Sequence, residues 1–145
     1  MKIRDVMTSP AISIHPEESV EVAARTLTQY NIGALPVCNE KGELCGMVTD
    51  RDLVIRCMAA NRSPAKTPVS QIMTSQVLSV HADAETGAAA HLMGRQQVRR
   101  LAVTENGRLC GVVSLGDLAC TEENNPDAAD ALMEITGSIS QGKGW

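Results

Sequence analysis

Apolar and polar residues alternate along residues 11–14, and the pattern then changes to a helical repeat. Val20, Leu27 and Tyr30 recur at the spacing that places side chains on one face of a helix, which predicts a short strand followed by an amphipathic helix. A proline, two glutamates and a serine precede this helix and supply the chemistry of a helix start. Gly33 is predicted to end it.

Two continuous apolar segments follow, at residues 34–38 and 44–48. They flank a polar, glycine-containing stretch, which predicts a hairpin turn between two buried strands. Asp52 then opens a second helix that reaches residue 60. The residues of this helix predicted to face the core are Leu53, Val54, Cys57 and Met58.

The same series begins again in the second half of the chain. Val6-Met7-Thr8 recurs as Ile72-Met73-Thr74, and residues 44–53 recur as 109–118, in both cases about 65 positions later. The second series is predicted to contain a strand at 78–80, a helix at 85–97, a hairpin of strands 100–103 and 109–113, and a helix that begins at Asp117. Two similar units that each hide one apolar face are expected to pack together.

The predicted organisation has five segments. A polar stretch with two prolines separates the repeats, and Pro126 interrupts the last helix before a further amphipathic helix at 127–135. The segments are repeat 1 at 1–62, a linker at 63–70, repeat 2 at 71–121, a helical extension at 122–137 and a mobile tail at 138–145.

Composition favours a globular cytoplasmic protein. Hydrophobic residues make up 43% of the 145-residue chain, which is enough for a buried core, and no apolar run is long enough for a membrane span or a signal peptide. The net charge is −4, and the chain has one Trp, one Tyr and no Phe. Nucleic acid is therefore excluded as the main partner, since its recognition needs clustered basic residues and aromatic platforms.

The cysteines and histidines form no catalytic or metal-binding pattern. The five cysteines are odd in number and include no C-x-x-C pair, so buried reduced thiols are expected, with a metal or redox role as the weaker alternative. The pattern places none of the three histidines beside a nucleophile, so surface or capping roles are expected for them, with a metal site as the weaker alternative. We therefore predict that the chain is not an enzyme and has no catalytic residue, no metal site and no required cofactor.

Two related motifs, Thr49-Asp50-Arg51-Asp52 and Ser114-Leu115-Gly116-Asp117, each follow an apolar strand and open a helix. A hydroxyl residue three positions before an acidic one is typical of a capping box, which needs no ligand. The same carboxylate can also accept hydrogen bonds from both hydroxyls of a ribose, while a helix start attracts phosphate. Arg51, Arg99 and Arg100 offer guanidinium donors for phosphate oxygens. Capping alone and ligand binding both remain open.

The repeated unit resembles the cystathionine β-synthase (CBS) domain. The resemblance rests on the Met-Thr opening, the strand Gly33-Ala34-Leu35-Pro36-Val37 and the ending Gly-hydrophobic-hydrophobic-Thr/Ser-x-x-Asp, and it covers residues 1–121. It implies an α/β fold of two β-α-β-β-α units with pseudo-two-fold symmetry, here followed by a short C-terminal helix. The whole chain is similar to small stand-alone bacterial CBS-pair proteins linked to stress or dormancy.

The resemblance also implies two ligand clefts and the residues that form them. In one cleft Thr49 and Asp52 would clamp the ribose, with walls near Leu78 and Val98. In the other Ser114 and Asp117 would do so, with walls near Ile12, Ile32 and Gly33, while Met47 and Val112 would line the base. Arg51 and Arg99 are expected to serve phosphate at the Asp52 cleft, which is therefore expected to bind more tightly than the Asp117 cleft.

The implied function is regulation by an adenosine compound, namely AMP, ADP, ATP or S-adenosylmethionine, that reports the energy or stress state. Because the repeats and one helix account for the chain, the signal is expected to pass in trans, through an effector protein or a change in a homodimer. The alternative is a ligand-independent structural or dimerisation protein in which both motifs only cap helices.

Overall fold

The computed structural model describes residues 1–121 and 125–140, which form two compact units. The first-repeat unit comprises Ala11–Val77 and Gly107–Leu109, and the second-repeat unit comprises Met1–Pro10, Leu78–Asn106 and the described residues from Cys110 on. The helices are α1 (Val20–Tyr30), α2 (Asp50–Asp52), α3 (Thr86–Gln96), α4 (Leu115–Ala119) and α5 (Asn125–Ser140). The strands are β1 (Ala34–Cys38), β2 (Leu44–Thr49), β3 (Ser79–His81), β4 (Arg100–Glu105) and β5 (Arg108–Ser114).

In the first-repeat unit, β1 and β2 form the predicted antiparallel hairpin. The predicted strand at 11–14 is reduced to one parallel bridge between Ile14 and Val37. Helix α1 ends before Gly33, because Asn31 takes the left-handed conformation at φ 51° and its N–H caps the last turn. Asparagine tolerates this conformation better than most residues, so no glycine is needed. The core of this unit consists of Ile14, Val20, Ala23, Leu27, Leu35, Val37, Val48, Cys57, Val69 and Ile72.

The second helix of this unit differs from the predicted one. After α2 the chain continues as a π-helical segment, Leu53–Met58, whose wider turns change the angular spacing of the side chains. Cys57 is buried as expected, but Val54 is 53% exposed and Met58 71% exposed. The prediction that Val54 and Met58 face the core is therefore wrong.

In the second-repeat unit, the sheet has the order β3-β4-β5, with β3 parallel to β4. Helix α3 ends at Gln96, and Gln97 after it is left-handed at φ 58° like Asn31 after α1. Helix α5 packs mainly against α3 and α4. The core of this unit consists of Ile3, Ala82, Ala89, Ala90, Met93, Leu101, Val103, Val113, Leu115, Leu118, Ala128, Ala131 and Ile135.

The two compact units do not follow the order of the repeats in the sequence. Thr8 forms an antiparallel bridge with Val112, and Thr74 forms the equivalent bridge with Met47. Each Met-Thr segment therefore packs in the unit built by the other repeat, and the predicted linker at 63–70 lies inside the first-repeat unit. The segment boundaries at 62, 70 and 121 stay predictions.

Helix α5 is longer than the predicted helix at 127–135. Pro126 lies in its first turn, where a missing N–H leaves no intrahelical bond unmade. The helix runs to Ser140, three residues into the segment predicted as a mobile tail, and the rest of that segment, 141–145, lies outside the described residues. Within the described ranges, no helix is both long and apolar enough to cross a bilayer.

Candidate functional site

The first motif forms a complete capping box at the start of α2. The Asp52 N–H donates to Thr49 Oγ1 at 3.2 Å, and the Thr49 N–H donates to Asp52 Oδ2 at 2.9 Å. The other carboxylate oxygen, Oδ1, lies 3.6 Å from Nε of Arg56, one helical turn further on. Both oxygens of the half-buried Asp52 carboxylate therefore have a partner.

The second motif forms the same box at the start of α4. The Asp117 N–H donates to Ser114 Oγ at 3.0 Å, and the Ser114 N–H donates to Asp117 Oδ2 at 2.8 Å. Thr121 stands four residues after Asp117, where the first motif has Arg56, and its hydroxyl donates to the Leu118 carbonyl. Among the described residues, no cation pairs with Asp117. The carboxylate of the second motif therefore keeps one oxygen for another partner.

A cavity of about 590 Å³ adjoins the second motif in the second-repeat unit. Its lining combines two arginines with small and apolar residues of α4 and α5. The residues that line it are Arg99, Arg100, Ser114, Leu115, Gly116, Ala119, Ala128, Ala129 and Leu132. A Cβ on Gly116 would meet only Ser114 Oγ, at 3.6 Å, so packing does not require a glycine at this position. The missing side chain leaves more space in the cavity. The cavity combines two cations, a hydroxyl and an apolar surface.

The predicted site residues are divided between the two units. The first-repeat unit holds Ile12, Ile32, Gly33, Met47, Thr49, Arg51 and Asp52, and the second-repeat unit holds Leu78, Val98, Arg99, Val112, Ser114 and Asp117. Of these, Arg99 and Ser114 line the cavity. Val98 packs against the core of its unit, and Ile12 and Ile32 do so in theirs. The ligand contacts of all thirteen stay predictions.

The sequence reasoning missed the contribution of α5 to the cavity. The sequence pattern places Ala128, Ala129 and Leu132 in an amphipathic helix and predicts no site there. The helical spacing of the apolar residues in this segment predicted that one face would be covered. Nothing in the spacing indicates that the neighbouring face would close a cavity.

Three side chains that could bind a metal ion lie close together, and an arginine pairs with two of them. Ligand atoms of His81, Asp83 and Glu105 lie within 4.8 Å of one another. The guanidinium of Arg4 donates to Asp83 at 2.8 Å and to Glu105 at 2.9 Å, and it supplies the positive charge that the two carboxylates need. The hydrogen bond from Arg4 lowers the pKa of Asp83 below its ordinary value of 3.8.

All five cysteines are free thiols in the described part of the chain. Cys38 and Cys57 are buried, Cys45 and Cys110 are partly buried, and Cys120 is exposed. Burial raises the pKa of the Cys38, Cys45 and Cys110 thiols, which disfavours the reactive thiolate. These thiols behave as small apolar groups.

Comparison with known proteins relates both repeats to one domain family. The family model of the CBS domain matches two segments of the chain, residues 3–58 and 69–120. The CBS domain-containing protein YhcV of Bacillus subtilis is 37% identical over 134 residues, which cover 92% of this chain and 94% of that protein. Each matched segment contains one motif: Thr49–Asp52 lies in the first and Ser114–Asp117 in the second.

Two solved structures are similar to most of the chain. Hypoxic response protein 1 of Mycobacterium tuberculosis, solved with two coordinated zinc ions, superposes with a TM-score of 0.77 at 33% identity and covers 82% of this chain and 97% of its own. The CBS domain pair of protein MJ0100, solved in complex with 5′-methylthioadenosine and S-adenosyl-L-methionine, has a TM-score of 0.72 at 28% identity and covers 82% of this chain and 93% of its own.

Proposed function

This chain belongs to the CBS domain family, and we propose that it is a regulatory protein that binds an adenosine-containing small molecule. The candidates are AMP, ADP, ATP and S-adenosylmethionine. The observation that carries the proposal is the cavity beside the second motif. Its volume of about 590 Å³ lies within the usual range of small-molecule sites, and it combines an apolar surface with a few polar groups.

The second motif has the chemistry to hold a ribose. One oxygen of the Asp117 carboxylate caps α4, while the other has no cation partner among the described residues. A free carboxylate oxygen accepts hydrogen bonds from ribose hydroxyls, and the Ser114 hydroxyl at the cavity wall adds a donor. The bound CBS pair of protein MJ0100 supports an adenosine compound as the ligand class.

Regulation would follow from a shift of population. A ligand changes the balance between two arrangements of the protein only through its different affinity for each, and such coupling is about 1–3 kcal/mol. We propose that the protein acts in the cytoplasm, in response to energy or stress state, and passes the signal to an effector protein in trans. The hypoxic response protein among its relatives supports the stress context.

A homodimer is the assembly that the exposed surface favours. Val54, Ile55 and Met58 form an exposed apolar face on the second helix of the first-repeat unit. The equivalent helix of the second repeat, α4, is packed against α5. Because the chain covers this surface in one repeat and leaves it open in the other, we propose that a second copy covers the open one.

The alternative, a ligand-independent structural protein, is favoured by the two complete capping boxes. A cap stabilises its helix whether or not a ligand binds, and its loss costs about 1 kcal/mol. A variant that keeps the cap and removes the ribose acceptor separates the two functions. Asp117→Asn does so, because the amide oxygen can still accept from the Ser114 N–H.

Isothermal titration calorimetry with AMP, ATP and S-adenosylmethionine tests the proposal. We expect at least one to bind the wild-type protein with a dissociation constant below about 1 mM, and Asp117→Asn to weaken binding about 10–100-fold, the value of a hydrogen bond to a charged group. The melting temperature of the variant should stay close to that of the wild type. If none of the three binds in the millimolar range, the ligand-independent function stands instead.

A further inference from the structure

Helix α5 lies outside the two segments that match the family model, yet it forms part of the cavity. The family match ends at residue 120, and α5 begins at Asn125. Ala128, Ala129 and Leu132 of this helix line the cavity beside Ser114 and Gly116. The chain therefore adds its own wall to a site that the repeat alone would leave open.

Contacts on another face of α5 hold the helix in place. Ala128, Ala131 and Ile135 are buried in the core of the second-repeat unit. The Cα of Ala131 lies 3.1 Å from the position that a Cβ on Gly94 would occupy, so the glycine allows α3 and α5 to approach closely. At the start of α5, Asp127 Oδ1 lies 3.2 Å from Nε2 of His91 on α3. The docking contacts and the cavity lining coincide only at Ala128.

Two arginines, Arg99 and Arg100, also line the cavity. Arg100 begins β4 and Arg99 directly precedes it, and neither guanidinium forms an ion pair with a described residue. No carboxylate is found among the described residues that line the cavity. Guanidinium groups match the geometry of phosphate oxygens and bind them in pairs of hydrogen bonds. The wall formed by Ala129 and Leu132 offers only apolar contact, which suits a sugar or a base.

We propose that α5 closes a binding site for a phosphorylated adenosine compound, and that occupancy of this site and docking of α5 stabilise each other. Arg99 and Arg100 take the phosphate, and Leu132 contacts the uncharged part of the ligand. This inference rests on the proposed function and adds to it the charge of the ligand and the helix that responds. Because coupling between binding and docking is reciprocal, a ligand that needs the α5 wall must also hold α5 in place.

Two ligands form a matched pair for the test. AMP carries a 5′-phosphate, whereas 5′-methylthioadenosine is the same nucleoside with an uncharged thioether at that position. We expect AMP to bind at least about tenfold more tightly in calorimetry, since only AMP can use the arginine wall. In hydrogen–deuterium exchange, saturating AMP should slow the amides of α5 at least about fivefold, the lower end of usual allosteric coupling.

Substitutions at two neighbouring positions of α5 test whether the cavity-lining side of this helix contributes to binding. Leu132→Glu places a carboxylate in the cavity and should weaken AMP binding about tenfold or more and abolish the slowing in α5. Met133→Glu, at a 71% exposed position that does not line the cavity, should change neither. If AMP binds and Asp117→Asn weakens it, but α5 exchanges at the same rate with and without AMP, this inference is overturned and the proposed function stands. If neither AMP nor 5′-methylthioadenosine binds the wild-type protein, this inference is overturned, and the proposed function falls only if ATP and S-adenosylmethionine also fail to bind.

Discussion

The Sδ atom of Met7 lies 2.6 Å from the position that a Cβ on Gly111 would occupy. The Thr8 carbonyl oxygen lies 2.9 Å from the same position, so side chain and backbone both exclude a larger residue. In the first-repeat unit Met73 packs against Gly46 in the same way. Each Met-Thr segment thus packs directly against the glycine of a Leu-Cys-Gly segment that is distant in the sequence.

Gly111→Ala is therefore expected to destabilise the protein by about 1–3 kcal/mol, the usual range for overpacking a core. Urea denaturation measures the change in the free energy of unfolding. Gly116→Ala is the matched control, since its Cβ would meet only Ser114 Oγ at 3.6 Å and alanine favours the helix. Equal destabilisation by both substitutions would contradict the packing argument.

The ion pair of Arg4 and Asp83 predicts a dependence of stability on pH. The Arg4 hydrogen bond lowers the pKa of Asp83 in the folded protein, so the pair stabilises the fold above the unfolded-state pKa of about 3.8 and stops doing so as the pH falls through the lower folded value. Arg4→Gln should be less stable than the wild type at pH 7, and the difference should shrink below pH 4 in denaturation experiments. Arg95→Gln, at an exposed residue of α3 without an ion pair to a described residue, should show no such trend.

The burial of the thiols predicts an order of alkylation. Cys120 is exposed and should react first with iodoacetamide at pH 8, because burial raises the pKa of Cys38, Cys45 and Cys110. Mass spectrometry of the native protein at successive times gives the order, and all five should react at similar rates in urea. A Cys38 that reacts as fast as Cys120 in the native protein would show that its burial has been misjudged.

If the protein is a homodimer, substitution of one exposed apolar residue in the interface should lower the molecular mass of the assembly to that of a monomer. Ile55→Glu places a charge in the face formed with Val54 and Met58, and sedimentation velocity should report a shift from dimer to monomer at micromolar concentration. Met133→Glu, at an exposed apolar position outside this face, should leave the mass unchanged. If Ile55→Glu leaves a dimer intact, the interface lies elsewhere.

Much of the fold could be predicted from the sequence because the repeat gives each element two independent signals. The hairpins, the first helix of each repeat and both capping boxes follow from local patterns. The end of α1 at Asn31 was missed because asparagine and glycine can both take the left-handed conformation. The outward turn of Val54 was missed because the apolar pattern assumed α-helical spacing in a π-helical segment.

The candidate site could be predicted only in part, for a physical reason. Ser114 and Asp117 follow from a local motif, whereas the cavity depends on the approach of Arg99, Gly116 and Leu132, which are brought together by tertiary packing. Local periodicity carries no information on that approach. The position of Arg99 in this cavity is the reason why we place phosphate at the second motif rather than at the first.

A ¹H–¹⁵N correlation spectrum recorded during titration with AMP tests the central claim most directly, because it reports both binding and its location. The proposed function predicts saturable shifts for the amides of Ser114, Leu115 and Gly116 and for those of Arg99 and Arg100, reaching half their maximum below about 1 mM. In Asp117→Asn the AMP concentration at half-maximal shift should rise about 10–100-fold. Spectra that stay unchanged at these five amides up to several millimolar AMP, and equally with ATP and S-adenosylmethionine, would contradict the proposed function.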